Sequence, residues 1–273
     1  MNDQPKFSCP ICSADLVKTD KTLKCASNHS FDYAKEGYVN LLPVQLKKSL
    51  NPGDDLNMVI ARREFLQLGH YEFMRNKLIE LVTENAPQLI VDLGCGEGYY
   101  TSEIKAQQKA TSVYGIDISK SAVKYAAKRN KEVHYAVATN AHLPFSDKSV
   151  DLIVNVFAPL IGKECQRILD NNGKILAVSP GPSHLLEIKQ VIYPTAELHE
   201  APRPPEFFEN SASWNVKNTI TISSSEQLNN LLTMTPFGWK TSEESLQKLQ
   251  ALLPLTVTLD FIISQYIPNA SLN

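Results

Sequence analysis

Val91-Asp92-Leu93-Gly94-Cys95-Gly96-Glu97-Gly98-Tyr99-Tyr100 is the stretch that decides the fold. An apolar run closes on an acid, three glycines alternate, and a helical pattern begins. Glycine lacks a Cβ and takes positive φ, so such a turn lets backbone approach a nucleotide-like ligand at a strand end. The spacing is G-x-G-x-G, with Tyr99 and Thr101 where a dinucleotide fingerprint would want its last glycine. That departure points away from a pyrophosphate and towards a ligand without phosphate, S-adenosylmethionine first among them.

Outward from this turn, apolar strands and helical patterns alternate. Strands are expected at 89–93, 112–117, 133–138, 150–156 and 175–179, with helices at 99–107, 119–129, 165–169 and 183–191 between and after them. The pattern predicts an α/β fold: a doubly wound, mostly parallel sheet with helices on both faces and a ligand at the carboxyl ends of its strands. Strand patterns at 216–222 and 255–267, with helices at 226–233 and 243–252 between them, predict a final antiparallel pair. The proline-bearing segment 193–215 (Pro194, Pro202, Pro204, Pro205) reads as an irregular insertion, a lid or substrate loop. Upstream, 45–55 is a polar connection with the turn signal Asn51-Pro52-Gly53-Asp54. Two amphipathic helices follow at 56–69 and 71–84.

Asp117 closes the second strand, where a carboxylate accepts ribose hydroxyls. Asp92 either organises the glycine turn or meets the ligand's amino group. Thr139-Asn140-Ala141-His142-Leu143-Pro144-Phe145 matches the D-A-x-x-L-P-F loop that touches adenine in class I methyltransferases, with Thr139 in place of the acid.

Composition sets bounds on partners and compartment. The chain has 273 residues, 43% hydrophobic and 21% charged, with a net charge of −2. This is no strongly basic nucleic-acid binder, but positions 1–50 carry seven lysines against five acids, so positive charge gathers modestly at the N-terminus. No apolar stretch approaches bilayer length, and Met1-Asn2-Asp3-Gln4-Pro5 lacks the layout of a signal peptide. The five cysteines form no secretory framework, which leads us to expect a reducing cytoplasm and no membrane.

Cys9-Pro10-Ile11-Cys12 and Cys25-Ala26-Ser27-Asn28-His29 present C-x2-C and C-x3-H separated by twelve residues. Three thiolates and an imidazole suit tetrahedral Zn²⁺, and a closed four-ligand shell is structural rather than catalytic. A small zinc ribbon is expected, with short strands at 16–18 and 22–24. Downstream, Phe31, Tyr33 and Tyr38 interleave with Lys35; they either stack bases or pack the ribbon onto the next domain.

The ribbon ligands, the block Asp32-Tyr33-Ala34-Lys35-Glu36-Gly37-Tyr38-Val39-Asn40-Leu41-Leu42-Pro43, Pro52-Gly53-Asp54, Ala61-Arg62-Arg63, Gly69-His70-Tyr71, the glycine turn, Pro180-Gly181-Pro182-Ser183-His184-Leu185 and Met234-Thr235-Pro236-Phe237 together resemble the RlmA family. This family comprises bacterial methyltransferases acting on guanine N1 in one hairpin of large-subunit (23S) ribosomal RNA. The resemblance implies that Tyr71, Gly96, Glu97 and His184 contact S-adenosylmethionine, that Cys9, Cys12, Cys25 and His29 hold zinc, and that the protein is a homodimer. It divides the chain into a zinc-binding RNA-recognition module (1–44), a linker and helical segment (45–86) and a methyltransferase domain (87–273).

The full cofactor set expected is therefore Tyr71, Asp92, Gly94, Gly96, Glu97, Gly98, Asp117, Thr139, Asn140 and His184. Methyl transfer is an in-line displacement, and guanine N1 must lose a proton. The substrate wall is expected after the fourth strand, where Asn155 is placed to bond the guanine edge and Phe157 either stacks on the base or packs the core. His184 and Glu187 are the nearest titratable groups, and no base is assigned. Two other readings stand at this point: a small-molecule methyltransferase, and an RNA-binding ribbon protein with an inactive methyltransferase domain.

Overall fold

The computed structural model describes residues 6–47, 49 and 52–269; the expected features resting on Met1 to Pro5, Lys48 and Asn51 lie outside them. The ribbon carries three short antiparallel strands, β1 (Val17–Thr19), β2 (Thr22–Lys24) and β3 (Ser30–Asp32). After it come β4 (Val39–Asn40), α1 (Leu56–Gln67) and α2 (Glu72–Glu84). The alternating unit is β5 (Leu89–Leu93), α3 (Tyr99–Gln107), β6 (Ser112–Asp117), α4 (Lys120–Arg129), β7 (His134–Val137), β8 (Val150–Val156), α5 (Gly162–Ile168), β9 (Leu169–Pro180) and α6 (Leu186–Ile192). The chain ends with β10 (Phe208–Ile222), α7 (Ser225–Thr233), α8 (Glu243–Ala251) and β11 (Leu255–Pro268).

These strands form one eight-stranded sheet in the order β10-β11-β9-β8-β5-β6-β7-β4. Pairings from β9 through β4 are parallel, whereas β11 is antiparallel to both β9 and β10. Every residue of β5 is buried, as the continuous apolar run requires of a central strand covered on both faces. The chain leaves β5 for β6 on one side and later returns to place β8 on the other. The carboxyl ends of β5 and β8 therefore flank the switch point where such sheets open a ligand crevice.

Local chemistry sets the helix starts. Asp55 caps α1 by accepting the Met58 N–H at 2.9 Å, and Ser119 caps α4, as its position before the helix predicts. Two apolar layers sandwich the sheet. One joins α1–α4 to the C-terminal helices; the other joins α5 to the ribbon.

Three expectations are corrected. Residues 208–215 of the expected irregular insertion are the first half of β10, so only 193–207 lacks regular structure. Strand β9 begins at Leu169, six residues before the expected start, because Asp170 to Gly173 carry no apolar signal. The helix expected from 183 begins at Leu186, after a turn in which Leu185 has a φ of 52°.

The ribbon is fastened to the sheet at two places. Phe7 packs edge-on to Tyr114 of β6 (5.2 Å between centroids) and against Phe145 at 5.7 Å. Val39 and Asn40 pair with Ala136 and Val137, adding β4 as an edge strand to the larger sheet. Tyr38, 4% exposed, sits in the main apolar layer, so of the two roles open to it the structure shows packing. Truncating Tyr38→Ala should therefore cost about 3 kcal/mol, in the range for buried aromatics, read as a lower urea midpoint. A variant as stable as the parent would exclude this core role.

Candidate functional site: a glycine turn at the switch point

The glycine turn is held by the end of the neighbouring strand. The Gly96 N–H donates to Asp117 Oδ2 at 2.9 Å, and the Ser119 N–H donates to Asp117 Oδ1 at 2.7 Å. The N–H groups of Gly94 and Cys95 both reach the Ile116 carbonyl, at 2.8 and 3.0 Å. Burial pushes the Asp117 carboxyl up, while these two backbone donors pull it down.

Two glycines answer different needs. Gly94 has a φ of 79°, and a Cβ there would lie 2.2 Å from the Ala158 Cβ, so the loop after β8 leaves no room. Gly96 has a φ of 55°, and a Cβ there would meet nothing within 4 Å. Its bare face opens into the crevice, as a cradle for a closely approaching ligand does.

Around the cradle lie buried polar groups. Asp92, 1% exposed, accepts the Thr101 hydroxyl on Oδ2 at 2.5 Å, while among the described residues its Oδ1 has no partner. Burial pushes its carboxyl up to about 7, the Thr101 hydroxyl opposing and the nearby Asp117 adding. The bond to Thr101 ties the end of β5 to the first turn of α3. Glu97 is also buried; it pairs with Arg129 at 2.5 Å, and among the described residues its Oε1 has no partner. Tyr71, before α2, is buried edge-on against Phe65 and Phe261. Thr139 and Asn140 follow β7, and the Asn140 amide donates to the Pro159 carbonyl at 2.9 Å, tying this loop to the loop after β8.

The linker closes one side, which nothing in its polar composition signalled. The Ser119 hydroxyl donates to the Asp54 carbonyl at 2.8 Å, and Arg62 of α1 pairs with the Asp54 carboxylate. Arg62 also reaches the Met234 carbonyl at 3.3 Å, joining the linker to the C-terminal part of the chain.

The opposite wall is the loop after β9. Asp260 of β11, 3% exposed, accepts the Ser183 N–H at 2.9 Å and the Asn215 side-chain amide at 2.7 Å. Its backbone carbonyl takes the Gly181 N–H at 2.7 Å, and its backbone N–H donates to His184 Nδ1 at 3.3 Å. An acid amid the apolar run Leu259-Asp260-Phe261 was the signal available for this residue. Burial brings the His184 imidazole down to about 3, with His199 contributing. The ring is then neutral at neutral pH, and with Nδ1 accepting, its proton resides on Nε2. Glu187 spends both oxygens on Thr258, at 2.6 and 2.9 Å.

Past β8, the Asn155 amide donates to the Leu93 carbonyl at 2.9 Å and so pins β8 to β5. Phe157 departs from the core: it is 47% exposed, has a φ of 58°, and lies near-parallel to His184 with centroids 6.5 Å apart. A bulky residue in that backbone region is strained, and such strain gathers at functional sites.

The L-P-F loop does something its position alone did not reveal. Phe145 is buried against Phe7 and Tyr114, and the Pro144 carbonyl accepts the Ser8 N–H at 2.8 Å. This loop is the seat of the ribbon. Within the ribbon, the ligand atoms of Cys9, Cys12, Cys25 and His29 all lie within 4.8 Å of one another. A tetrahedral Zn²⁺ with ordinary bond lengths needs S···S edges of about 3.8 Å and S···N edges of about 3.5 Å. Cys12 and Cys25 are 3.7 Å apart, and His29 Nδ1 lies 3.5 Å from Cys9 Sγ and 3.4 Å from Cys25 Sγ. The four residues fit one closed structural zinc site.

Residues 7–50 match the family described as RlmA, N-terminal, and residues 90–177 match the family described as Methyltransferase domain. The chain is 30% identical to the 23S rRNA (guanine(748)-N(1))-methyltransferase of Streptomyces fradiae, over 95% of this chain and 96% of that protein. It is also 30% identical to a provisionally named 23S rRNA (guanine-N(1)-)-methyltransferase of Micromonospora griseorubida, over 97% of this chain and 98% of that one. Among solved structures, the YcgJ protein of Bacillus subtilis aligns with 71% of this chain and 97% of its own, at 17% identity and a TM-score of 0.45.

Two outcomes follow from the geometry. Gly94→Ala should unfold more readily, because its Cβ has no space, whereas Gly96→Ala should retain the fold at a cost of about 1–2 kcal/mol and lose cofactor binding. Denaturation and calorimetry on both variants check this; equal behaviour would remove the cradle. Asp92→Asn bears on the buried carboxyl. Because the folded value is raised from 3.8 to about 7, wild-type stability falls as pH rises between those values and is level above. The variant should match the parent below about pH 4 and surpass it at pH 8, in thermal melts without cofactor.

Proposed function

The chain belongs to the RlmA family of 23S rRNA (guanine-N1) methyltransferases, and on that premise we propose that it methylates N1 of a guanine in a hairpin of bacterial large-subunit ribosomal RNA. One observation supports this above the others: the zinc ribbon sits directly on the loop that follows β7, beside the cofactor crevice. A ribbon so placed extends the crevice with a surface that a small substrate would not need.

S-adenosylmethionine, when bound, supplies a methyl group on a cationic sulfur. In this reading Asp117 receives the ribose hydroxyls, Gly94, Gly96 and Gly98 give the close backbone approach, and Thr139 and Asn140 border the adenine. Tyr71, Asp92, Glu97 and His184 surround the remaining end. Phe157 is the platform on which the target base stacks, its ring exposed at the end of β8. N1 lies on the Watson–Crick edge, so the guanine enters unpaired or extruded. Residues 1–44 serve RNA recognition, 45–86 link and cover the cofactor, and 87–273 carry the chemistry. We take the protein to act as a homodimer in the cytoplasm. Among the described residues, no helix is long and apolar enough to cross a membrane.

The test is methylation of protein-free large-subunit rRNA with the modified base mapped. N1-methylguanine is the expected product; methyl incorporation at another position would sink the specific claim, and none at all, with cofactor still bound, would favour an inactive domain. Stripping zinc with a chelator, or Cys25→Ser, should abolish methylation of RNA while leaving the dissociation constant for the cofactor unchanged. A parallel loss of both would mean that the ribbon holds up the crevice rather than the substrate.

A further inference from the structure

Helix α4 divides cleanly between two faces. Ala122, Val123, Ala126 and Ala127 are buried, while Lys120, Lys124 and Lys128 are exposed. Residues four apart on a helix lie one above the other at about 6 Å, so the three lysines form one row. From Ile118 to Lys131 the chain holds five cations and no acid, although its net charge is −2. Like charges four apart oppose a helix, and a face that meets only water ordinarily carries both signs. Repulsion left standing on a surface is relieved when an anion covers it.

Tertiary contacts widen the row into a surface. The Arg63 guanidinium of α1 lies 5.4 Å from the Tyr125 ring centroid and the Lys128 ammonium 5.9 Å from it, so the ring holds two cations side by side. Among the described residues, the side chains of Arg63, Lys120 and Lys128 make no ion pair and no hydrogen bond. Glu64, the acid beside Arg63, is taken by the Asn230 amide at 3.0 Å, and Arg129 is taken by Glu97. Lys124 pairs with Glu36 at 3.5 Å, and Lys131, past the helix end, donates to the Glu36 carbonyl. These two contacts fasten the chain leaving the ribbon beside the row. At the other end, Lys120 follows Ser119, whose N–H is on Asp117. The row thus runs from the lip of the crevice to the ribbon junction.

We propose that Arg63, Lys120 and Lys128 hold the phosphate backbone of the RNA whose base enters the crevice. This rests on the RNA reading given above. The planar fork of Arg63 suits a phosphate bidentately, and the lysines act as point charges along the same strand. Contacts of this kind carry no sequence information; they set orientation and supply salt-dependent affinity. The row offers charge without an apolar centre, as a nucleic-acid surface does and a stable contact between two protein copies does not.

The test uses the full zinc-loaded chain, protein-free large-subunit rRNA and two variants, Lys120→Gln with Lys128→Gln, and Arg63→Gln. Glutamine is about as good a helix former as lysine and ends the repulsion, so the double variant should melt at or above the parent. The slope of log K for RNA against log salt should shrink by about 2 in the double variant and about 1 in Arg63→Gln. KM for RNA should rise about 10-fold or more in the double variant at physiological salt, with the calorimetric Kd for cofactor within about twofold. Lys109→Gln with Lys217→Gln removes the same charge from exposed positions before β6 and on β10, and should leave the slope in place. Parental slope and KM in the double variant, or an equal fall in the control, overturn the proposal. So does a loss of oligomer in sedimentation with RNA affinity kept, which would make the row a contact between copies. A parent that binds RNA through these residues but forms no N1-methylguanine overturns the guanine reading and leaves the row standing. A parent that binds no RNA overturns both.

Discussion

The carboxylate of Asp117 is the interaction on which the rest of the crevice depends. It accepts backbone N–H groups from two different segments, Gly96 in the turn after β5 and Ser119 at the start of α4. Hydrogen bonds to a charged acceptor contribute about 1.5–3 kcal/mol each, more than neutral ones, and here they fix backbone rather than side chain. Ser119 carries the constraint further, since its hydroxyl holds the Asp54 carbonyl and so draws the linker against the same strand end. Arg62 then ties Asp54 to the Met234 carbonyl. The glycine turn, the linker and the C-terminal helices are in register with one another because a chain of contacts refers each to a single carboxylate.

A second buried acid performs the corresponding work on the opposite wall. Asp260 lies on β11, a strand antiparallel to the rest, and grips the loop after β9 through its carboxylate and both backbone groups. A buried carboxylate is costly unless its lone pairs are filled, and Ser183 and Asn215 fill them. The requirement works in both directions: the loop that presents His184 has a fixed shape because Asp260 needs its donors. The two walls also differ in what they leave unpaired. Among the described residues, Asp92 Oδ1 and Glu97 Oε1 are buried without partners beside the glycine turn, an uncompensated desolvation cost on that wall.

Legibility in the sequence tracked burial. Strands β5 and β8 and helix α3 lie where the sequence pattern puts them, because a central strand covered on both faces must be a continuous apolar run and the helix begins where the glycines stop. The first half of β10 was hidden, since Phe208 to Asn215 form an edge whose side chains mostly face solvent and so carry no core pattern. The start of β9 was hidden because Asp170 to Gly173 carry no apolar signal. At the site, Asp117 and the ribbon ligands were readable because their chemistry demands a fixed spacing. Arg62 and Asp260 were not, because their partners are remote in the chain and no local period marks them.

The sequence by itself determined the reaction class, the zinc ligands and the parallel sheet, since each of these is written in residues close together along the chain. Only the tertiary structure decided which residues face one another across the crevice. It gave Tyr38 to the core and Phe157 to the solvent, although both had been open to either role. It also turned the L-P-F loop into the seat of the ribbon, through the packing of Phe7 on Tyr114 and Phe145. Contacts between segments more than a hundred residues apart depend on how layers pack, and packing is settled by shape and volume rather than by any local pattern.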